Sequence, residues 1–171
     1  MSKNTAEPGL AQAFVEVRRA RIMDGSSRDL QPVGAGAEPL VAEKAGYLLR
    51  EAEELFWNEL AWEELTDEEA IGGGHFTELV FPGFLAFIEG LLVERVPHDS
   101  LAPARPHPDV VERILLFLGE RHVAFGRELE QGVDSERVVW ARAMTGQLVD
   151  LVLSRLYGIS AEELEENEAQ A

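Results

Sequence analysis

The feature that most constrains this chain is a three-and-four periodicity of apolar residues, repeated in several long segments and nowhere replaced by sustained alternation. Val111, Ile114, Leu118, His122, Phe125 and Leu129 form one such row, and Ala45, Leu48, Leu49, Ala52, Leu55, Phe56 and Leu60 form another. That spacing gathers side chains on one face of an α-helix, whereas a strand would turn every second residue the same way. The pattern predicts long helices over residues 39–65, 77–96, 108–131 and 135–157. With no strand pattern and no internal repeat beside them, the expected fold is all-α: an antiparallel bundle of four long helices. A short N-terminal arm helix, with Leu10, Phe14 and Val17 at helical spacing, precedes the bundle, and a short acidic helix follows it. The division is an arm and linker over 1–37, the bundle over 38–158 and an acidic tail over 159–171.

Punctuation residues support those boundaries. Pro108 suits a first helical turn, where its missing N–H costs nothing, and Gly132 and Gly158 stand where helices should end. Gly72, Gly73 and Gly74 read as a helix stop and chain reversal, because neither a P-loop lysine nor a β-strand accompanies them. Thr77 is the expected N-cap of the next helix, and Pro82 should bend or restart it near Phe81. Gly83, Ala86 and Gly90 lie on one stripe that lets a neighbour come close. Asp134 or Ser135 should cap the last long helix, and Ser160 with Glu163 makes a capping box for the acidic tail.

The net charge of −17 is unevenly placed. Residues 1–37 hold five basic and four acidic groups, residues 38–71 hold two and eleven, and residues 159–171 hold none and five. Such a field repels phosphate backbones, so direct nucleic-acid binding is disfavoured and a basic protein surface or larger assembly is the expected partner. Glu51, Glu54, Glu63 and Glu64 on the acidic helix, with Arg18 and Arg19 on the arm, are the candidate partner-binding residues. The chain has no cysteine, which removes disulfides, thiolate metal sites and cysteine nucleophiles from consideration. No signal-peptide pattern and no bilayer-length apolar run is present, so a soluble cytoplasmic protein is expected.

Two sets of residues suggest chemistry. His75, Glu78 and Glu89 share a helical face of the kind that holds a metal, yet the Glu-x-x-His pairs of carboxylate-bridged bundles are missing, so no metal or cofactor is expected. His122 interrupts an apolar seam and needs a polar partner, for which Asp150 or Glu59 qualifies, and His122 with Asp150 is the candidate acid–base pair. Enzymatic alternatives therefore rest on a metal or acid–base site in the bundle. A third alternative is a small-molecule sensor with an apolar pocket near Trp57, Trp62 and Phe84.

Residues 149–164, VDLVLSRLYGISAEEL, resemble the short box that closes many DNA methyltransferase and specificity subunits of restriction-modification systems. In that family the box is a structural terminus, so no catalytic residue carries over. Neither the methyltransferase Asn-Pro-Pro-Tyr motif nor its glycine-rich cofactor motif is present. The resemblance implies an accessory or detached piece of a defence-type system. The leading expectation is a non-enzymatic helical interaction protein. Residues 76–96 and 135–157 are apolar over more than one face, and the surplus is expected either beneath the arm or in a homodimer. The arm's arginines are expected to approach the acidic helix of residues 43–69.

Overall fold

The computed structural model describes residues 3–26, 29–60, 74–92, 106–132, 135–160 and Glu163, with side chains described from residue 9 in the first helix and residue 77 in the third. Among the described residues there are six helices and no strand. They are α1 (Lys3–Gly25), α2 (Ala42–Leu60), α3 (Gly74–Val80), α4 (Pro82–Leu92), α5 (Pro108–Glu130) and α6 (Glu136–Leu156). None is long and apolar enough to cross a membrane. The glycine run at 72–73 and the ends expected near residues 65 and 96 lie outside the described residues.

Local chemistry explains several helix ends. Pro108 opens α5, and Gly132, at φ +89°, closes it by donating its N–H to the Leu129 carbonyl at 3.2 Å. Helix α6 ends in a Schellman motif: Gly158 takes φ +65° and donates to Arg155 O at 3.2 Å, while Ile159 donates to Ser154 O at 2.8 Å. Ile159 is buried, completing the apolar side of that motif. The Ser160–Glu163 capping box also forms, through Glu163 N to Ser160 Oγ at 3.2 Å and Ser160 N to Glu163 Oε1 at 3.5 Å. Ser135 occupies the N-cap of α6 with extended backbone but makes no capping bond through its side chain.

Pro82 divides the expected 77–96 helix into α3 and α4 at Phe81. Thr77 is not an N-cap. It lies inside α3, fully buried, and its hydroxyl donates to the side-chain oxygen of Gln147 on α6. The cap of α4 comes from another helix: the Glu59 carboxylate on α2 accepts from Gly83 N and Phe84 N, both at 2.7 Å. Anionic oxygens at these two orphan donors satisfy them and complement the helix dipole. The small residue at position 83 has its reason here, since a Cβ would lie 2.9 Å from Glu59 Oε2.

Helix α6 is central, with Met144, Leu148, Val149, Val152, Leu153 and Leu156 all buried. Its buried hydroxyls are satisfied within the helix, Thr145 donating to Ala141 O and Ser154 to Leu151 O, each at 2.7 Å. Helix α5 packs along α6 through Val111, Ile114, Leu115 and Leu118, and α2 is tied to α4 and α5 by an aromatic cluster. In that cluster Phe56 meets Phe81 at 5.7 Å, Phe117 at 5.5 Å and Phe84 at 6.4 Å between ring centres.

The N-terminal segment departs from expectation. Helix α1 runs for 23 residues and lies across α5 and α6, so it is a full member of the core, not a short arm. Ala11, Val15 and Ile22 are buried, and the linker behind them is pinned by Val33 N to Leu156 O at 2.7 Å and Leu40 N to Asp109 Oδ2 at 3.0 Å. The crossing with α5 is close because Gly119 has no side chain: a Cβ there would sit 2.8 Å from the Ala11 carbonyl oxygen and 3.1 Å from Val15 Cγ2.

This contact yields a paired test. Gly119→Ala should destabilise the protein by about 1–3 kcal/mol, because the obstruction is backbone and cannot move aside. Gly126→Ala, whose Cβ would meet only the Arg142 side chain at 3.4 Å, should be neutral or gain up to roughly 1 kcal/mol from helix propensity. Denaturant melts of the two variants measure the contrast.

Candidate functional site

A cluster of described charged side chains lies where α1 crosses α5 and α6. Arg18 and Arg19 face inward because α1 also buries Ala11, Val15 and Ile22, which share that side at helical spacing. Arg18 Nη1 donates to Asp150 Oδ2 at 2.8 Å, and its guanidinium lies 5.0 Å from the centre of the Phe14 ring. Arg19 makes a fork: Nη1 and Nη2 reach Glu112 at 2.9 and 2.6 Å, Nη1 also reaches the Tyr157 hydroxyl at 2.8 Å, and Nε reaches Glu16 at 3.1 Å. Burial works against the Arg19 charge, but the bonds to Glu112, Glu16 and Tyr157 outweigh it and hold its pKa above the ordinary range.

His122 sits beside this pair. Its ring stacks on Phe14 with centroids 3.9 Å apart and planes 14° from parallel. Gly146 on α6 leaves the necessary room, since a Cβ there would approach Arg18 Nη2 to 3.2 Å and His122 Cδ2 to 3.5 Å. Burial first, then the positive charges of Arg142 and Arg18, lower the His122 pKa to about 4. A carboxylate partner would push the other way. The structure therefore gives Asp150 to Arg18 and sets His122 as a neutral stacking ring against an arginine-rich neighbourhood. Glu59, the other expected partner, is the cap of α4.

Arg18 and Arg19 thus meet Asp150 and Glu112, and among the described residues neither pairs with a carboxylate of residues 43–60. Two polar members of the 149–164 box acquire a role in the same contact: Asp150 and Tyr157 each receive one of two adjacent arginines. Glu112 and Tyr157 carried no signal for this contact, being ordinary residues on helix faces until α1 is placed, and Arg142 reaches His122 only through the packing of α6 on α5.

The remaining predicted residues fall elsewhere. Glu78 and Glu89 do converge, but on the Arg155 guanidinium, at 3.5 and 3.7 Å, so the cation between these carboxylates is a side chain of α6. His75 lies in the first turn of α3, and its side chain is outside those described. Among the described residues no group of three or more His, Asp or Glu is arranged to hold a metal ion. Phe84 is buried in the aromatic core, and Trp62 lies outside the described residues. Trp57 packs edge-on against Phe56 and Phe125 at 5.2 and 6.2 Å, yet remains 43% exposed.

Helix α2 forms the second candidate surface. Glu43, Tyr47, Arg50, Glu54 and Trp57 recur at four, three, four and three along its outer side, flanked by Lys44 and Glu51, and all are exposed. Tyr47 is 67% exposed. Glu63 and Glu64, expected to extend this surface, lie outside the described residues. Comparison of the chain with protein-family models, with curated proteins and with solved structures returns no match.

The His122 environment sets a pH dependence. In the unfolded chain the ring takes its proton near 6.5, in the folded protein only near 4. Between those values the unfolded state binds more protons, so stability falls as pH is lowered through that window and levels off below it. For this half-buried ring the loss should be on the order of 1–2 kcal/mol. Thermal melts from pH 7 to pH 4 check it, and His122→Phe should flatten the His122 part of the profile while keeping the stack on Phe14.

Proposed function

We propose that this chain is a non-enzymatic helical interaction protein whose acidic outer surface on α2 receives a basic partner. Its long helices pack as an antiparallel bundle, and its place is as an accessory component of a larger assembly. The resemblance of residues 149–164 to the closing box of restriction-modification subunits favours a defence-type system as that assembly.

The supporting observation is the outer stripe of α2, where carboxylates alternate with two exposed aromatic rings. Glu43, Glu51 and Glu54 outnumber the exposed Lys44 and Arg50 on this face, leaving it net negative, while Tyr47 and Trp57 supply large apolar areas of the kind that anchor interfaces. Arg50 lies 5.9 Å from the Tyr47 ring centre and Arg121 lies 5.4 Å from that of Trp57, which orients both rings. Acidic charge around such anchors speeds encounter with a basic surface and rejects acidic ones. Meanwhile Arg18, Arg19 and Arg155 are engaged with carboxylates inside the fold, so three of the protein's cations do not compete for the partner.

Affinity capture at two salt concentrations, with wild type and surface variants in parallel, tests the reading. Raising salt from about 0.1 M to about 1 M shortens the screening length from about 10 to about 3 Å, so a partner held by this surface should be released. Glu51→Lys with Glu54→Lys should abolish capture at the lower salt, and Tyr47→Ala should weaken it without changing the salt response. A partner retained at high salt, or retained by the charge-reversed protein, would refute the acidic surface as the docking site.

A further inference from the structure

Helix α1 carries apolar residues on the side facing away from the core as well as on the side facing it. Ala11, Val15 and Ile22 are buried beneath it, yet Leu10 is 50% exposed and Val17 is 60% exposed. With the exposed Ala13 and Ala20 they form a row at 10, 13, 17 and 20. Alternating steps of three and four give this short row the spacing of a coiled-coil seam, and it points almost directly away from α5 and α6. We propose that this row is a homodimer interface, in which α1 of one copy pairs antiparallel with α1 of a second copy about a twofold axis near residue 15.

The row is complementary to itself in size. Turned about that axis, Leu10 faces Ala20 of the other copy and Val17 faces Ala13, so each larger side chain meets a small one. A twofold contact needs this property, because the same patch must fit its own image. Charge is compatible with the same face. The whole chain carries −17, whereas residues 1–37 carry five basic and four acidic groups; with Arg18 and Arg19 turned inward to Asp150 and Glu112, three basic and four acidic groups are left, so repulsion between two copies is low along α1. Glu16, the acidic group nearest the axis, is held by Arg19 at 3.1 Å and by Gln12 at 2.8 Å within its own chain. Four layers of side chains cover less than the ~800 Å² per partner of a standard interface, so the dimer should be weak, with Kd in the micromolar range. This inference concerns a different helix from the acidic surface and does not rest on it.

Sedimentation velocity on the full chain across the micromolar range should show a concentration-dependent monomer–dimer equilibrium. Salt should tighten it, because screening relieves repulsion between two strongly negative copies, the reverse of the response expected for a basic partner. Leu10→Asn with Val17→Asn should weaken association by about tenfold or more, and at dilutions where the wild type is monomeric the two proteins should melt alike because both positions are largely exposed. Orientation is tested separately by disulfide trapping, for which the cysteine-free chain is suited. A mixture of Leu10→Cys and Ala20→Cys proteins should cross-link heterotypically, and Leu10→Cys alone should not. A monomer at every concentration, a dimer that dissociates in salt, or an Asn variant that associates like wild type would overturn the interface. Efficient cross-linking of Leu10→Cys to itself would overturn the antiparallel register.

Discussion

The crossing of α1 over α5 and α6 organises this molecule. It depends on Gly119, whose missing side chain lets the Ala11 backbone approach to within contact distance. That approach then places Arg18 and Arg19 over carboxylates on two different helices, Asp150 on α6 and Glu112 on α5. Burial of Val15 and Ile22 provides most of the attraction, while the partly buried ion pairs mainly fix register, since pairs of this kind stabilise weakly on their own. The order of causes matters. A chain that could not close the Gly119 crossing would hold the arginines too far from their partners to set the register.

A second consequence is a sorting of charge. Several of the chain's cations are turned into interhelical contacts: Arg18 and Arg19 on the α1 seam, and Arg155 between Glu78 and Glu89. Among the carboxylates, Glu59 is likewise used internally, as the cap of α4. Glu43, Glu51 and Glu54 remain on the outer side of α2. The strongly negative exterior follows in part from this internal use of arginine, and it is what makes α2 suited to a basic partner and α1 a meeting place of low repulsion for two copies.

Helical structure and several of the helix ends were legible from residue order because their causes are local. Pro82, Pro108, Gly132, Gly158 and the Ser160–Glu163 pair act within one turn of their own position, and each does what its chemistry predicts. Roles that cross between helices were not legible. Thr77 has the composition of a cap but lies inside α3, which begins at Gly74, and Gln147 on α6 takes its hydroxyl. Glu78 and Glu89 share a face as their spacing implies, yet only tertiary placement brings Arg155 between them. The arm was recognisable as a docking element from Leu10, Phe14 and Val17, but its inner face is instead Ala11, Val15 and Ile22, with Leu10 and Val17 outward. Periodicity alone could not choose between two apolar rows on one helix.

Amide hydrogen exchange along α1 tests the central claim most directly. If α1 belongs to the same cooperative unit as α5 and α6, amides within residues 11–22 should exchange only through the opening that also exposes residues 111–118 and 144–153, and their protection should fall together as denaturant is added. Protection of α5 and α6 with near-free exchange along α1 would contradict the account, because the crossing at Gly119 would then not be holding the helix.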